Sequence, residues 1–298
     1  MSRTALHRLV PLLSIFVLAQ PSTAQQRGTL FIVGGGRQPD ELITRFIELA
    51  GGPGRARIAV VPMASGAAEQ SGDGKVEQLV EFGADAFNLN LSRAQASTDS
   101  AAALLDGVTG VWFAGGDQVR LTDVLQGTPV LEAIRARYDG GAVLGGTSAG
   151  AAIMSDSMLT GRQIRAGQDT LGYHGDEYRR IARGSIEIVP GFGFLQNAII
   201  DQHFIERERH NRLLSVVLER PAMIGAGIAE GTALEVAPDA RWSVHGRGAV
   251  IIYDAREASI TGPASTSPGA AGIRMHVLPA GATYDAATGS ARLETTVH

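Results

Sequence analysis

The sequence predicts an α/β protein in which a mostly parallel sheet carries helices on both faces and is followed by an antiparallel C-terminal extension. Three observations lead there. Over the first half of the chain, short apolar β-rich runs alternate with segments of helical spacing. Glycine- and proline-rich stops separate them. Past Asp156 the strand-like runs follow one another closely, with turns between them. Alternation of the first kind indicates parallel strands joined by helical crossovers, and close succession of the second kind indicates antiparallel neighbours.

The opening unit illustrates the pattern. Residues 29–33 (Thr-Leu-Phe-Ile-Val) and 57–62 (Arg-Ile-Ala-Val-Val-Pro) read as buried strands, and the segment 41–50 between them has helical spacing and stops at Gly51-Gly52-Pro53-Gly54. A helix over 75–82, a strand over 84–91, a strand over 108–113, a helix over 131–138 and a strand over 142–145 continue it. Residues 232–236, 241–244 and 249–253 are the antiparallel candidates, and they either extend the sheet or form a small flap. No linker, charge block or repeat divides residues 25–298, so one domain is expected.

Residues 1–24 behave differently. Arg3 and Arg8 precede an apolar run over 9–19, and Ser22-Thr23-Ala24 follows with the small residues a signal peptidase needs. The run is shorter than the ~20 residues of a bilayer span, so a cleaved signal peptide ending at Ala24 is expected, with a secreted or periplasmic product and no membrane attachment afterwards. Cleavage takes away two arginines and no acid, moving the formal charge from −4 to −6. That mild acidity argues against nucleic acid as a partner. The chain has no cysteine, which excludes disulfides, thiol catalysis and Cys-based zinc sites together. Of the 26 basic residues only Lys75 is a lysine, a bias that base composition explains for the chain as a whole.

In open α/β sheets ligands collect at the carboxyl ends of the strands. Gly34-Gly35-Gly36 follows the first strand, but Pro39 stands where a dinucleotide loop has its third glycine, so a tight turn suffices to explain it. Gly146-Thr147-Ser148-Ala149-Gly150 lies between a strand and an apolar helical start and reads as a nucleophile elbow. Ser148 would stand exposed at a helix N-terminus, where backbone N–H groups favour a negative oxygen. The loop Phe113-Ala114-Gly115-Gly116-Asp117-Gln118 leaves the preceding strand. If the two strands are neighbours, an N–H of Gly115 or Gly116 can join that of Ala149 as an oxyanion hole, with Gln118 facing the substrate.

A serine hydroxyl needs a base. His203 lies at the end of the strand 198–200 and just before a helix whose apolar stripe is Leu213, Val216 and Val217. Arg207, Arg209 and Arg212 are expected on the first turns of that helix, where the dipole disfavours cations. An anionic ligand would remove the conflict, and so would pairing with Glu206 and Glu208.

Four ordered blocks together resemble a known family: residues 113–118, residues 145–151 (Gly-Gly-Thr-Ser-Ala-Gly-Ala), Asp201-Gln202-His203-Phe204 with the three arginines after it, and residues 227–234 (Gly-Ile-Ala-Glu-Gly-Thr-Ala-Leu). They look like the cyanophycinases of peptidase family S51 and their aspartyl dipeptidase relatives. The resemblance implies a fold like that of class I glutamine amidotransferases (flavodoxin-like). It implies a triad of Ser148 as nucleophile, His203 as base and Glu230 as orienting acid, with Asp169 as the alternative acid. It places Gln118, Asp201, Gln202, Arg207, Arg209 and Arg212 at the substrate pocket. No metal or cofactor is required. The substrate implied is cyanophycin, a poly-aspartate backbone with arginine on each side-chain carboxyl, cut to β-aspartyl-arginine dipeptides. Short aspartyl or isoaspartyl peptides are the alternative substrate, and a catalytically inactive anion-binding homologue is the alternative from another class. An esterase would normally place its acid before its histidine, the reverse of His203 and Glu230. A homodimer stays open.

Overall fold

The computed structural model describes residues 28–164, 178, 180–262 and 268–294. The expected signal peptide and Asp169 lie outside the described residues. Strands β1 (Leu30–Val33), β2 (Arg57–Val61), β3 (Asp85–Asn88), β4 (Gly110–Phe113) and β5 (Val143–Thr147) alternate with helices α1 (Asp40–Leu49), α2 (Ala68–Glu81), the short α3 (Arg93–Ala96) and α4 (Asp99–Ala102), α5 (Gln118–Leu125) and α6 (Pro129–Asp139). All pairings among the five strands are parallel, in the order β1-β5-β4-β2-β3.

Local chemistry explains these elements. Along α1, Leu42, Ile43, Phe46 and Ile47 make one buried face, and Asp40 and Glu41 occupy the first turn, where the dipole favours acids. The Asp117 side chain caps α5 by accepting from the Val119 N–H, and Thr128 with Pro129 starts α6. One face of the sheet buries Phe31, Val33 and Trp112 against Phe46 of α1, and the other buries Ile32, Val111 and Phe113 with Leu121 and Ile134 of α5 and α6. Helix α2 starts seven residues earlier than expected because Gly72 and Gly74 do not break it; Gly72 packs where a β-carbon would lie 2.3 Å from Asn88 Oδ1.

Beyond the four-residue helix α7 (Ala149–Ala152), β6 (Ser157–Gln163) and β7 (Ile186–Pro190) form an antiparallel pair. Strand β8 (Ala198–Asp201), helix α8 (His210–Glu219), β9 (Ile224–Ile228), β10 (Thr232–Val236), β11 (Arg241–Gly246) and β12 (Ala249–Asp254) come next. The small ladder of β13 (Ser259–Ile260) with β14 (Ala270–Ala271) precedes β15 (Arg274–Pro279), β16 (Thr283–Asp285) and β17 (Ser290–Arg292). The C-terminal strands divide: residues 232–236 and 241–244 extend the sheet, as one alternative expected, whereas 249–253 join a second four-stranded sheet and not a small flap. Strands β10, β11, β16 and β17 extend the main sheet antiparallel from β1, whereas β15, β12, β9 and β8 form a second sheet in that order. Leu213, Val216 and Val217 of α8 pack on the second sheet against Ile199 and Ile251.

Register sets the site. Val33 pairs with Thr147, and Phe113 with Gly146, so β1, β4 and β5 end level with one another and their loops emerge side by side. Strands β8 and β9 end beside the same edge, because the His203 N–H donates to Gly34 O (2.7 Å) and the Gly231 N–H to Gly35 O (3.0 Å).

Candidate active site

Ser148 is the residue between β5 and α7, and its backbone has φ 55° and ψ −111°. A non-glycine residue there is strained by about 1–3 kcal/mol, which the surroundings must impose. They do so through its neighbours. A β-carbon at Gly146 would lie 2.5 Å from Gly150 O, and one at Gly150 would lie 2.1 Å from Phe113 O, so the turn closes this tightly only with glycine at both places. The Ser148 N–H donates to Val33 O (3.1 Å), which anchors the turn to β1.

His203 follows β8 in a left-handed conformation with φ 48°, and its ring reaches Ser148. Its Nε2 lies 2.8 Å from Ser148 Oγ, and its Nδ1 lies 2.5 Å from Glu230 Oε1. A carboxylate only accepts, so Nδ1 carries the proton and donates to Glu230, and Nε2 is left to accept from the hydroxyl. Burial holds the imidazole below its ordinary pKa, the positive charges of Arg207 and Arg209 add to that, and the bond to Glu230 opposes it. The net effect keeps His203 neutral, the form in which it can take a proton. Glu230 sits in the turn from β9 to β10, and its own N–H donates to Glu206 Oε2 (3.1 Å).

The glycine turn at 34–36 has a larger part than a tight turn. Gly35 has φ +125°, and a β-carbon there would lie 2.3 Å from the His203 ring; Gly36 has φ +65°, and one there would lie 2.5 Å from Glu230 Oε2. The carbonyl oxygens of Val33, Gly34 and Gly35 accept from the N–H groups of Ser148, His203 and Gly231, so the end of β1 carries all three arms of the site. Two of those partners lie about 170 to 200 residues downstream, which is why no local signal marks the turn; three successive glycines at a strand end are the hint that was there.

On the other side of Ser148, Gly115 stands where a β-carbon would be 3.3 Å from Ser148 Cβ. Gly116 has φ +142° and is pressed against Ala64 O. Ala149 opens α7, and among the described residues no group accepts from the N–H of Gly116 or Ala149. Gln118 is buried in the first turn of α5, and its amide donates to the Leu159 carbonyl of β6.

The arginines depart from expectation. Residues 202–209 are turns, not helix, because His203 and Glu208 both have positive φ, and α8 begins at His210. Only Arg212 lies on a helical turn. Its Nε donates to Asp201 Oδ2 at 2.8 Å, its Nη2 binds Asp201 Oδ1, and its Nη1 donates to the Tyr178 hydroxyl at 3.0 Å. Arg209 Nη1 lies 3.6 Å from Asp201 Oδ1 and donates to both oxygens of Gln202. Asp201, Arg209 and Arg212 are all at most 2% exposed. Asp201 is therefore a buried anion that offsets Arg209 and Arg212 at the start of α8. Burial works against the Arg212 charge, and Asp201 outweighs it, holding the guanidinium above its ordinary range. Arg207 is exposed, and its charge still reaches His203. A cavity of 460 Å³ opens on the other side of Glu230, lined by Arg37 and Arg247 and by Asp40 and Glu41.

Comparison with known proteins agrees with this architecture. The family described as peptidase family S51 matches residues 30–241. A cyanophycinase of Geminocystis herdmanii (strain PCC 6308) is 34% identical over 272 residues, spanning 88% of this chain and 95% of its own. One of Synechococcus elongatus is 32% identical over 275 residues, spanning 88% and 80%. Among solved structures, that of a peptidase from an acI-B1 Actinobacterium superposes with a TM-score of 0.62 at 22% identity, covering 88% of this chain and 98% of that one.

Proposed function

The chain belongs to peptidase family S51 and is a hydrolase of peptidase type, and from that membership we propose that it cleaves cyanophycin to β-aspartyl-arginine dipeptides with Ser148 as nucleophile, His203 as base and Glu230 as orienting acid. The observation that carries the mechanism is the unbroken line from Ser148 Oγ through His203 to Glu230, at 2.8 and 2.5 Å. His203 takes the hydroxyl proton as Oγ attacks the peptide carbonyl, and the resulting imidazolium is stabilised by Glu230. The N–H groups of Gly116 and Ala149 stand ready for the oxyanion, with Gly115 leaving room for it beside Ser148. His203 then gives its proton to the leaving amine, and water repeats the sequence on the acyl-enzyme.

The substrate class rests on the named relatives and on charge. Each repeat of cyanophycin presents a guanidinium and a free carboxylate from its arginine. The cavity beside Glu230 offers both signs, and Arg207 is the exposed arginine of the cluster, whereas Arg209, Arg212, Asp201 and Gln202 are buried. Purified cyanophycin incubated with the enzyme is expected to release β-aspartyl-arginine, detected by mass spectrometry. Release of nothing from the polymer, with turnover of short aspartyl or isoaspartyl peptides, would move the assignment to the dipeptidase reading.

Export belongs to the same proposal, on the strength of Arg3, Arg8, the apolar run and Ser22-Thr23-Ala24. N-terminal sequencing of exported protein is expected to begin at Gln25. An intact Met1 on active protein kept in the cytoplasm would contradict it.

A further inference from the structure

Lys75, the chain's single lysine, lies on α2 with its stem partly buried and its Nζ 4.4 Å above the centre of the buried Trp112 ring. It donates to Gln78 Oε1 at 2.7 Å and to Gln38 Oε1 at 2.9 Å, and among the described residues no carboxylate lies within ion-pair distance of it. Burial alone pushes its ammonium down to about 8. A lone cation half-sunk beside an apolar sheet face is unfavourable for the fold, and an uncharged residue would pack there more easily.

What the ammonium touches leads to the active site. Gln38 Nε2 donates to Gly36 O at 2.6 Å and reaches Thr147 Oγ1 at 3.3 Å. Gly36 walls Glu230, its neighbour Gly35 walls His203, and Thr147 is joined directly to Ser148. A glutamine amide can present either end, but an ammonium has donors only. Lys75 therefore forces the Gln38 oxygen toward itself and the Gln38 NH2 toward Gly36 and Thr147. Were the amide reversed, its oxygen would face the Gly36 carbonyl, two acceptors with no proton between them, and the tie between the ends of β1 and β5 would open.

We infer that Lys75, acting through Gln38, is a positioning residue that holds the glycine turn and the nucleophile turn in register. The inference rests on the reading of Ser148 as nucleophile. The test is the rate at which a serine-reactive fluorophosphonate labels Ser148, measured over a range of probe concentrations. Lys75→Met is expected to lower the maximal labelling rate about tenfold and to leave the half-saturating concentration within about twofold, as for a fault in alignment and not in binding. Lys75→Arg, another donor-only cation, is expected to recover most of the rate. Gln38→Leu should match the loss of Lys75→Met, and the double variant should be no slower than either single one, because both remove the same tie. Wild-type labelling in Lys75→Met, or a double-variant loss equal to the product of the single losses, would overturn the inference. If Lys75→Met does not fold, Gln38→Leu on the surface turn decides alone, and a wild-type rate there counts against it. Absence of labelling in the unaltered enzyme is a different result, which would remove the serine reading itself.

Discussion

Replacing Ser148 by alanine is expected to abolish peptide hydrolysis and to leave the protein folded. The loss in kcat should be about 10⁴-fold or more, the range seen when a triad nucleophile is removed and only binding and the oxyanion donors remain. The fold should persist because, among the described residues, the serine hydroxyl is bonded only to His203, and the Ser148 N–H to Val33 O, which shapes the turn, belongs to the backbone. Alanine inherits the positive φ without adding bulk. The measurement is the steady-state rate on an aspartyl peptide, with circular dichroism and the thermal midpoint as controls. Activity within tenfold of wild type in a clean preparation would mean that another group does the chemistry.

The second large effect is on stability. Asp201 has no exposure and is the counter-charge of two arginines that are 2% exposed. Asp201→Ala removes this buried counter-charge from both guanidinium groups, and breaking a buried pair from one side costs about 3–5 kcal/mol. That is a large fraction of the ~5–15 kcal/mol by which a native protein is stable. Urea unfolding should show a lower midpoint with an unchanged slope. Asp201→Asn, which keeps an acceptor and the side-chain shape, should lose less than Asp201→Ala. A change below about 1 kcal/mol for Asp201→Ala would show that water or a second acid already meets these arginines, and that the cluster is open and not internal.

The parallel half of the fold was legible because its causes are local. Strands β1, β2 and β4 are short, mostly apolar runs, and α1 and α6 carry their own buried stripes, so periodicity and glycine placement suffice for these elements. The strand-turn-helix at Ser148 was legible for the same reason: its small residues lie within two positions of Ser148. What escaped was set by distant partners. Gly34-Gly35-Gly36 reads as a turn until His203 and Glu230 are brought against it. The arginine cluster reads as a solvated helix start, since charge spacing does not reveal that Asp201 is buried nor that His203 and Glu208 take positive φ. The division of the C-terminal strands between two sheets depends on which edge each strand finds, and β10 and β12 have similar apolar patterns with different destinations. Lys75 looked like one more residue of a helix; its consequence lies in Gln38, 37 residues earlier in the chain.

The most direct test of the account is the site of covalent modification by a fluorophosphonate, read by peptide mass spectrometry on the unaltered protein. One adduct, on the peptide carrying Gly146-Thr147-Ser148-Ala149-Gly150 and absent from Ser148→Ala, is the result expected of a serine peptidase whose base is a neutral His203. Stoichiometric adduct on any other residue, or none under conditions in which the enzyme turns over peptide, would contradict it.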